Sequence, residues 1–136
     1  MNTFLPYRNF VRSAVVLDRQ RLGKQRVEAW QILRALTGQS KGWVNHPATK
    51  MWGGYENELA YYGICICEEW IQRGYKDSLL TKFVEYFDED IYKPPHWLGD
   101  VAFHISHKSN LSKKLPKHYR QYWRKVPDDL PYVWPV

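Results

Sequence analysis

The chain offers little sulfur chemistry: it holds two methionines and two cysteines, Cys65 and Cys67. On a helix that spacing points the thiols to different sides, which predicts reduced, core-packed cysteines rather than a disulfide framework. His96, His104 and His107 have no further ligand at recognisable spacing, and neither Cys-x-x-Cys nor His-Glu-x-x-His occurs. No metal and no cofactor is therefore expected. A glycine-rich phosphate loop and a serine-hydrolase elbow are also missing, because Gly53-Gly54 stands without the surrounding pattern. No apolar run approaches the ~18 residues of a membrane span. The opening "MNTFLPYRNF" lacks the apolar core of a signal peptide. These absences predict an intracellular, cytoplasmic protein with no membrane partner. Alternating strand patterns and internal repeats are lacking too.

What is present is aromatic and basic. Among 136 residues, 44% are hydrophobic and 16% aromatic, a composition that folds and that suits a single domain over residues 1–136. The residues from about 126 to 136, "VPDDLPYVWPV", read as an extended, proline-spaced tail. The formal charge of +6 favours a polyanionic partner, and the basic side chains concentrate in residues 8–34 and 108–125.

Periodicity predicts an all-α fold. Asp18 is placed to cap a helix running to Leu36, with Leu22, Ala29, Leu33 and Leu36 at helical spacing and Thr37-Gly38 as its stop. Gly23 inside this run marks either a tolerated cost or a close approach to the backbone. Residues 42–56, with Pro47 and the glycine pair, read as a loop around a short turn. A central helix is expected from Tyr55 to Arg73, with Leu59, Tyr62, Ile66 and Trp70 on one stripe and Gly74 after it. Asp77 or Ser78 starts a third helix whose apolar side is Leu79, Leu80, Phe83, Val84 and Phe87. Asp100 starts a fourth that reaches about Leu115, and "PKHYRQYWRK" follows it.

The chemistry concentrates in "LDRQRLGKQRVEAWQILRAL", residues 17–36. Arg21, Lys24, Glu28 and Gln31 share one helix face, so a single carboxylate sits in a basic stripe. From pattern alone the commoner reading is an exposed Lys24–Glu28 ion pair worth a few tenths of a kcal/mol. The alternative is a carboxylate built into an anion-holding site. On the later helix His107, Asn110 and Lys114 line one side with Lys113 beside them. Beyond it, Lys117, Arg120, Arg124 and Lys125 interleave with His118, Tyr119, Tyr122 and Trp123. Cations mixed with flat rings suit nucleic acid, and equally a solvated helix whose rings face a core.

The stretches "QRLGKQRVE", "NHPATKMW", "LAYYGICICEEWIQRGY", "HISHKSNLSKK" and "HYRQYW" resemble the pyrimidine-dimer DNA glycosylases with abasic-site lyase activity, the family typified by phage T4 endonuclease V. "FLPY", "RLGKQRVEA", "NHPA" and "PDDLPYVWP" are similar to a cellular and viral subgroup of it. The resemblance implies a compact helical fold of the T4 endonuclease V type and a DNA-repair glycosylase and lyase acting on pyrimidine dimers. It also implies an N-terminal α-amine as nucleophile, supplied by Met1 or Asn2, and Glu28 as the catalytic carboxylate. Arg21, Lys24, Arg26, Asn110 and Lys114 would then hold the phosphates of damaged, kinked double-stranded DNA. His107, Lys113, Arg120 and Arg124 extend that set, and the chain is expected to act as a monomer. The sequence departs from the family where Asn2 replaces a small residue, where the arm before the helix is longer, and where Val27 replaces an arginine beside the glutamate. A non-catalytic DNA-binding module and an enzyme for another modified base are the competing expectations.

Overall fold

In the computed structural model, which describes all 136 residues, the aspartates singled out by the sequence start the helices they were expected to start. Seven α-helices and one 3-10 turn (Glu89–Ile91) make up the regular structure, and no strand occurs. The helices are α1 Phe10–Val16, α2 Arg19–Leu36, α3 Pro47–Lys50, α4 Glu56–Gln72, α5 Leu80–Tyr86, α6 Val101–Lys114 and α7 Pro116–Tyr119. Asp18 accepts from the Arg21 N–H and Asp100 from the Ala102 N–H, each satisfying a donor left orphaned at a helix start. Asp77, two residues before the Leu79 N-cap of α5, accepts from the Leu79 and Leu80 amides at 3.0 and 2.7 Å.

Helix α4 lies at the centre and packs on α1, α2 and α5. Leu59, Ala60, Tyr62, Gly63, Cys65, Ile66 and Cys67 are all buried on it, and both thiols are free. Two glycines explain how closely its neighbours approach. A Cβ on Gly23 of α2 would sit 2.9 Å from the Trp70 ring of α4, so the mid-helix glycine admits that indole. A Cβ on Gly63 would sit 2.4 Å from the Phe83 ring of α5.

The structure departs from the sequence reading in four places. Helix α1, capped by Asn9, falls in the arm that periodicity left unassigned, because its seven residues give too short a pattern. The turn expected near Pro47 is the single-turn helix α3, with the proline at its start, where a missing N–H costs nothing. Val84, expected on the apolar side of α5, is 53% exposed; it is one residue on from Phe83 and so about 100° around the helix from the face that meets α4. The segment after α6 is helical only through Tyr119. The Tyr119 hydroxyl donates to the Asp18 carboxylate and accepts from the Asp18 N–H. Burial opposes ionisation of Asp18, but the hydrogen bonds from Tyr119 and Arg21 outweigh it and hold the carboxyl below its ordinary range.

The C-terminal tail docks along α6. Ser109 Oγ accepts from the Leu130 N–H, Ser106 Oγ accepts from the Val133 N–H, and the Asn110 amide donates to Leu130 O at 3.0 Å. No helix is long and apolar enough to cross a membrane.

Candidate functional site

The first five residues build the site. Phe4 and Leu5 are apolar and enter the core, which carries Asn2 and Thr3 inside with them. An extended buried segment must find partners for its own N–H and C=O groups, and here side chains supply them. Leu5 is held by two histidines of α6: its N–H donates to His107 Nδ1 at 2.9 Å, and His104 Nδ1 donates to its carbonyl at 2.8 Å. The Trp52 indole N–H bonds Thr3 Oγ1 at 3.0 Å.

Gln25 of α2 ties this segment to Glu28. Its carboxamide oxygen accepts from the Phe4 N–H at 2.9 Å and from the Tyr62 hydroxyl at 2.7 Å. Its nitrogen donates to Asn2 O at 2.9 Å and to Glu28 Oε2 at 3.2 Å. All four bonds fit only one orientation of the amide, so Gln25, 1% exposed, is a rigid bridge. The same Glu28 oxygen accepts from the Asn2 backbone nitrogen at 3.2 Å. A nitrogen at the head of the chain and a half-buried carboxylate therefore meet across a separation of 26 residues.

They meet at the floor of a cleft of about 260 Å³, open to solvent and lined also by Met1, Gln20, Arg21, Lys24, Lys114 and Tyr132. Arg21 pairs with Asp18 at 3.2 Å, whereas Lys24 and Lys114 are exposed and take no part in the chain's ion pairs. The Lys24–Glu28 pair that pattern alone favoured is thus not formed. His46 stands close enough for its ionisation to respond to burial first, then to the N-terminal charge, which push it down, and to Glu28, which pulls it up. Trp134 of the tail packs edge-on against it at 5.9 Å. Burial is the main influence raising the Tyr132 hydroxyl, which keeps that hydroxyl a proton donor. On the far side of Glu28 a shallower recess of about 560 Å³ is lined by Val27, Gln31 and Trp70.

The structure gathers Met1, Asn2, Glu28, Arg21, Lys24 and Lys114 around one cleft and leaves the other expected residues outside it. Arg26 is committed elsewhere: it pairs with the buried carboxylate of Asp77, and its guanidinium lies 4.6 Å over the Trp70 ring. His107 does not face solvent. It is fully buried, burial pushes its pKa down to about 3, and its accepting Nδ1 leaves the ring proton on Nε2. Asn110 spends both amide hydrogens on Ser106 O and Leu130 O, so it anchors the tail. Lys113 is exposed beside the tail, and Arg120 and Arg124 line a separate recess of about 220 Å³ with Trp123. Gln25, His46 and Tyr132 escaped the sequence reading. Gln25 alone left a signal, as a polar residue one turn before Glu28 that falls on the buried side of α2.

Chemically, a carboxylate holding a nitrogen at the end of a cation-lined cleft can pass protons to and from that nitrogen. It can also stabilise a cation formed beside it. The cations suit phosphates on either side. No curated protein and no solved structure matches the chain. The model of one family matches residues 1–83, the part that contains the N-terminal segment, Gln25, Glu28, His46 and all of α4. On that match, which spans more than half its length, the chain belongs to the pyrimidine dimer DNA glycosylase family.

Proposed function

We propose that the chain is a damage-specific glycosylase with abasic-site lyase activity on pyrimidine dimers in duplex DNA, using an N-terminal amine and Glu28. The observation that carries this reading is the 3.2 Å contact between the Asn2 nitrogen and Glu28 Oε2 at the floor of a basic cleft. In a chain that begins at Met1 the nucleophile is the Met1 α-amine, which lines the same cleft; once Met1 is removed it is the Asn2 nitrogen itself. An α-amine is intrinsically less basic than a lysine side chain, which makes it the better nucleophile of the two.

The amine attacks the sugar C1′, and the C1′–N bond to the damaged base breaks with its electron pair leaving on the base. Ring opening then gives an imine between the amine nitrogen and C1′. Glu28 stabilises the positive charge that develops at C1′ and exchanges protons with the nitrogen and ring oxygen. Loss of a C2′ proton expels the 3′ phosphate by β-elimination. Arg21, Lys24 and Lys114 hold flanking phosphates of a kinked duplex whose displaced base opens the way to the sugar.

Borohydride reduction in the presence of ultraviolet-damaged and abasic duplexes tests this reading. A covalent protein–DNA adduct is expected, with the reduced linkage mapping to the first residue of the mature chain. Glu28→Gln should keep duplex binding and lose incision by about 10²-fold or more. Absence of an adduct on both substrates, under conditions that trap a positive control, refutes the proposal. Val27 and Trp70 give the recess beside Glu28 an apolar wall, which favours a second reading in which another modified base is the substrate. Product analysis against a panel of lesions separates the two.

A further inference from the structure

Tyr7, just before α1, carries two cations on one ring: the Arg12 guanidinium carbon lies 4.1 Å and the Lys108 ammonium 4.9 Å from its centroid. The Trp123 indole N–H holds the Tyr7 hydroxyl at 2.9 Å, so the platform is fixed. Arg8, one turn before Arg12, runs alongside Gly99, where a Cβ would meet its side chain at 3.5 Å. None of these three cations belongs to an ion pair, all of which lie elsewhere, at Arg21–Asp18, Arg26–Asp77 and Arg73–Glu69. Burial first, and then the charge of Arg12, hold the Lys108 ammonium below its ordinary range. Like charges held together outside any ion pair favour an anion beside them.

Beside them opens a cleft of about 390 Å³, within the range of ~300–1,000 Å³ usual for small-ligand sites. Its walls are Phe10, Tyr61, Tyr92, Pro94 and Leu98, and Arg8 and Arg12 stand at its edge. The Tyr61 ring is 5.6 Å from Phe10 and 5.5 Å from Tyr92, centroid to centroid. This cleft shares no residue with the one around Glu28. Lys108 here and Lys114 there are six residues apart on α6, roughly 120° around the helix, so the two clefts lie on different faces.

We propose that this cleft is a second nucleic-acid site that takes an unpaired strand, with phosphates on Arg8, Arg12 and Lys108 and a base against Tyr61 and Tyr92. An aromatic wall next to phosphate-binding cations offers a stacking surface to one nucleotide whose base is free, and the stacked bases of a duplex cannot lie against it. The choice of nucleic acid rests on the family reading above, while the site itself stands on its own residues. A repair protein with such a site could hold single-stranded DNA away from the cleft where incision takes place.

Fluorescence anisotropy of a labelled twelve-nucleotide oligothymidine tests this on the full chain. The Arg8→Glu/Arg12→Glu double variant changes two exposed residues, so its melting temperature should stay near that of the wild type. It should bind the oligothymidine at least tenfold more weakly. Its log–log salt slope should shrink by about 1.4, two single-strand phosphate contacts. Tyr92→Ala should weaken binding about tenfold without altering that slope. Incision of a short damaged duplex should be unchanged in the double variant, so the Glu28 chemistry can fail or succeed independently of this site. Oligothymidine binding that resists charge reversal at Arg8 and Arg12, or that is lost only with Lys24→Glu/Lys114→Glu, overturns the proposal. Equal weakening for a duplex of the same length would mean that phosphate alone is read, and overturns its stacking half.

Discussion

Replacing Gln25 by glutamate changes one atom's chemistry and almost no volume, yet it strikes the bridge between the N-terminal segment and Glu28. The oxygen that accepts from Phe4 and Tyr62 is kept. The other position, which donated to Asn2 O at 2.9 Å and Glu28 Oε2 at 3.2 Å, becomes an oxygen facing two acceptors. If ionised, it would stand 3.2 Å from the Glu28 carboxylate, a repulsion of about 5 kcal/mol at an effective dielectric of ~20. That corresponds to about four pKa units, so the new carboxyl stays protonated in the folded chain well past neutrality. In the unfolded chain it titrates near ~4.3. The folded pKa is raised above the unfolded one, so its contribution is present in full below pH ~4.3 and is lost as pH rises, at about 1.4 kcal/mol per unit up to pH ~8. One acceptor is orphaned even in the neutral form, a constant loss of about 1–3 kcal/mol. A domain with only ~5–15 kcal/mol of stability would then approach unfolding above neutrality. Urea unfolding of wild type and variant between pH 4.5 and 8.5 reads the difference directly. A difference that stays constant with pH would refute the placement of Gln25 between Glu28 and the N-terminal segment.

Other sites give sharper or simpler readouts. His107 is buried neutral with its pKa down at about 3, so its contribution is present in full above pH ~6.5 and is lost as pH falls from there. His107→Gln, which can still accept from the Leu5 N–H, should flatten that acid slope by up to about 1.4 kcal/mol per unit in urea titrations. Gly63→Ala drives a methyl into the Phe83 ring and should cost about 1–3 kcal/mol, seen as a lowered Tm without loss of helical circular dichroism. Tyr119→Phe leaves the Asp18 N–H without its acceptor and should cost about 1–3 kcal/mol. Asp18 should then titrate closer to its ordinary range, as two-dimensional NMR of its carboxyl would show.

The long helices were legible because their information is local. Asp18 and Asp100 announce their helices, Gly74 follows α4 as expected, and the spacing of Leu22, Ala29 and Leu33 identifies the buried side of α2. Periodicity also put Glu28 on a basic face. It could not reveal the partner of that carboxylate, because Asn2 is 26 residues away and belongs to no helix. Distance along the chain explains the misplacements as well. A helical wheel places His107 on the side of Lys114 but does not say that Leu5 and Tyr132 cover it. Arg26 looks like a free cation until Asp77, 51 residues on, closes over it. Tyr132 joins the cleft through a tail with no periodicity, held by Ser106, Ser109 and Asn110, whose small polar side chains read as an ordinary helix surface.

The extended segment at residues 1–5 is fastened by a residue far along the sequence, since the Leu5 N–H donates to His107, 102 residues later. Contacts of that span form late and close long loops. A chain lacking α6 loses both bonds that hold Leu5, and residues 2–5 should then be loosely seated against Gln25 and Glu28. The geometry around Glu28 is thus a property of the whole fold and not of α2 alone.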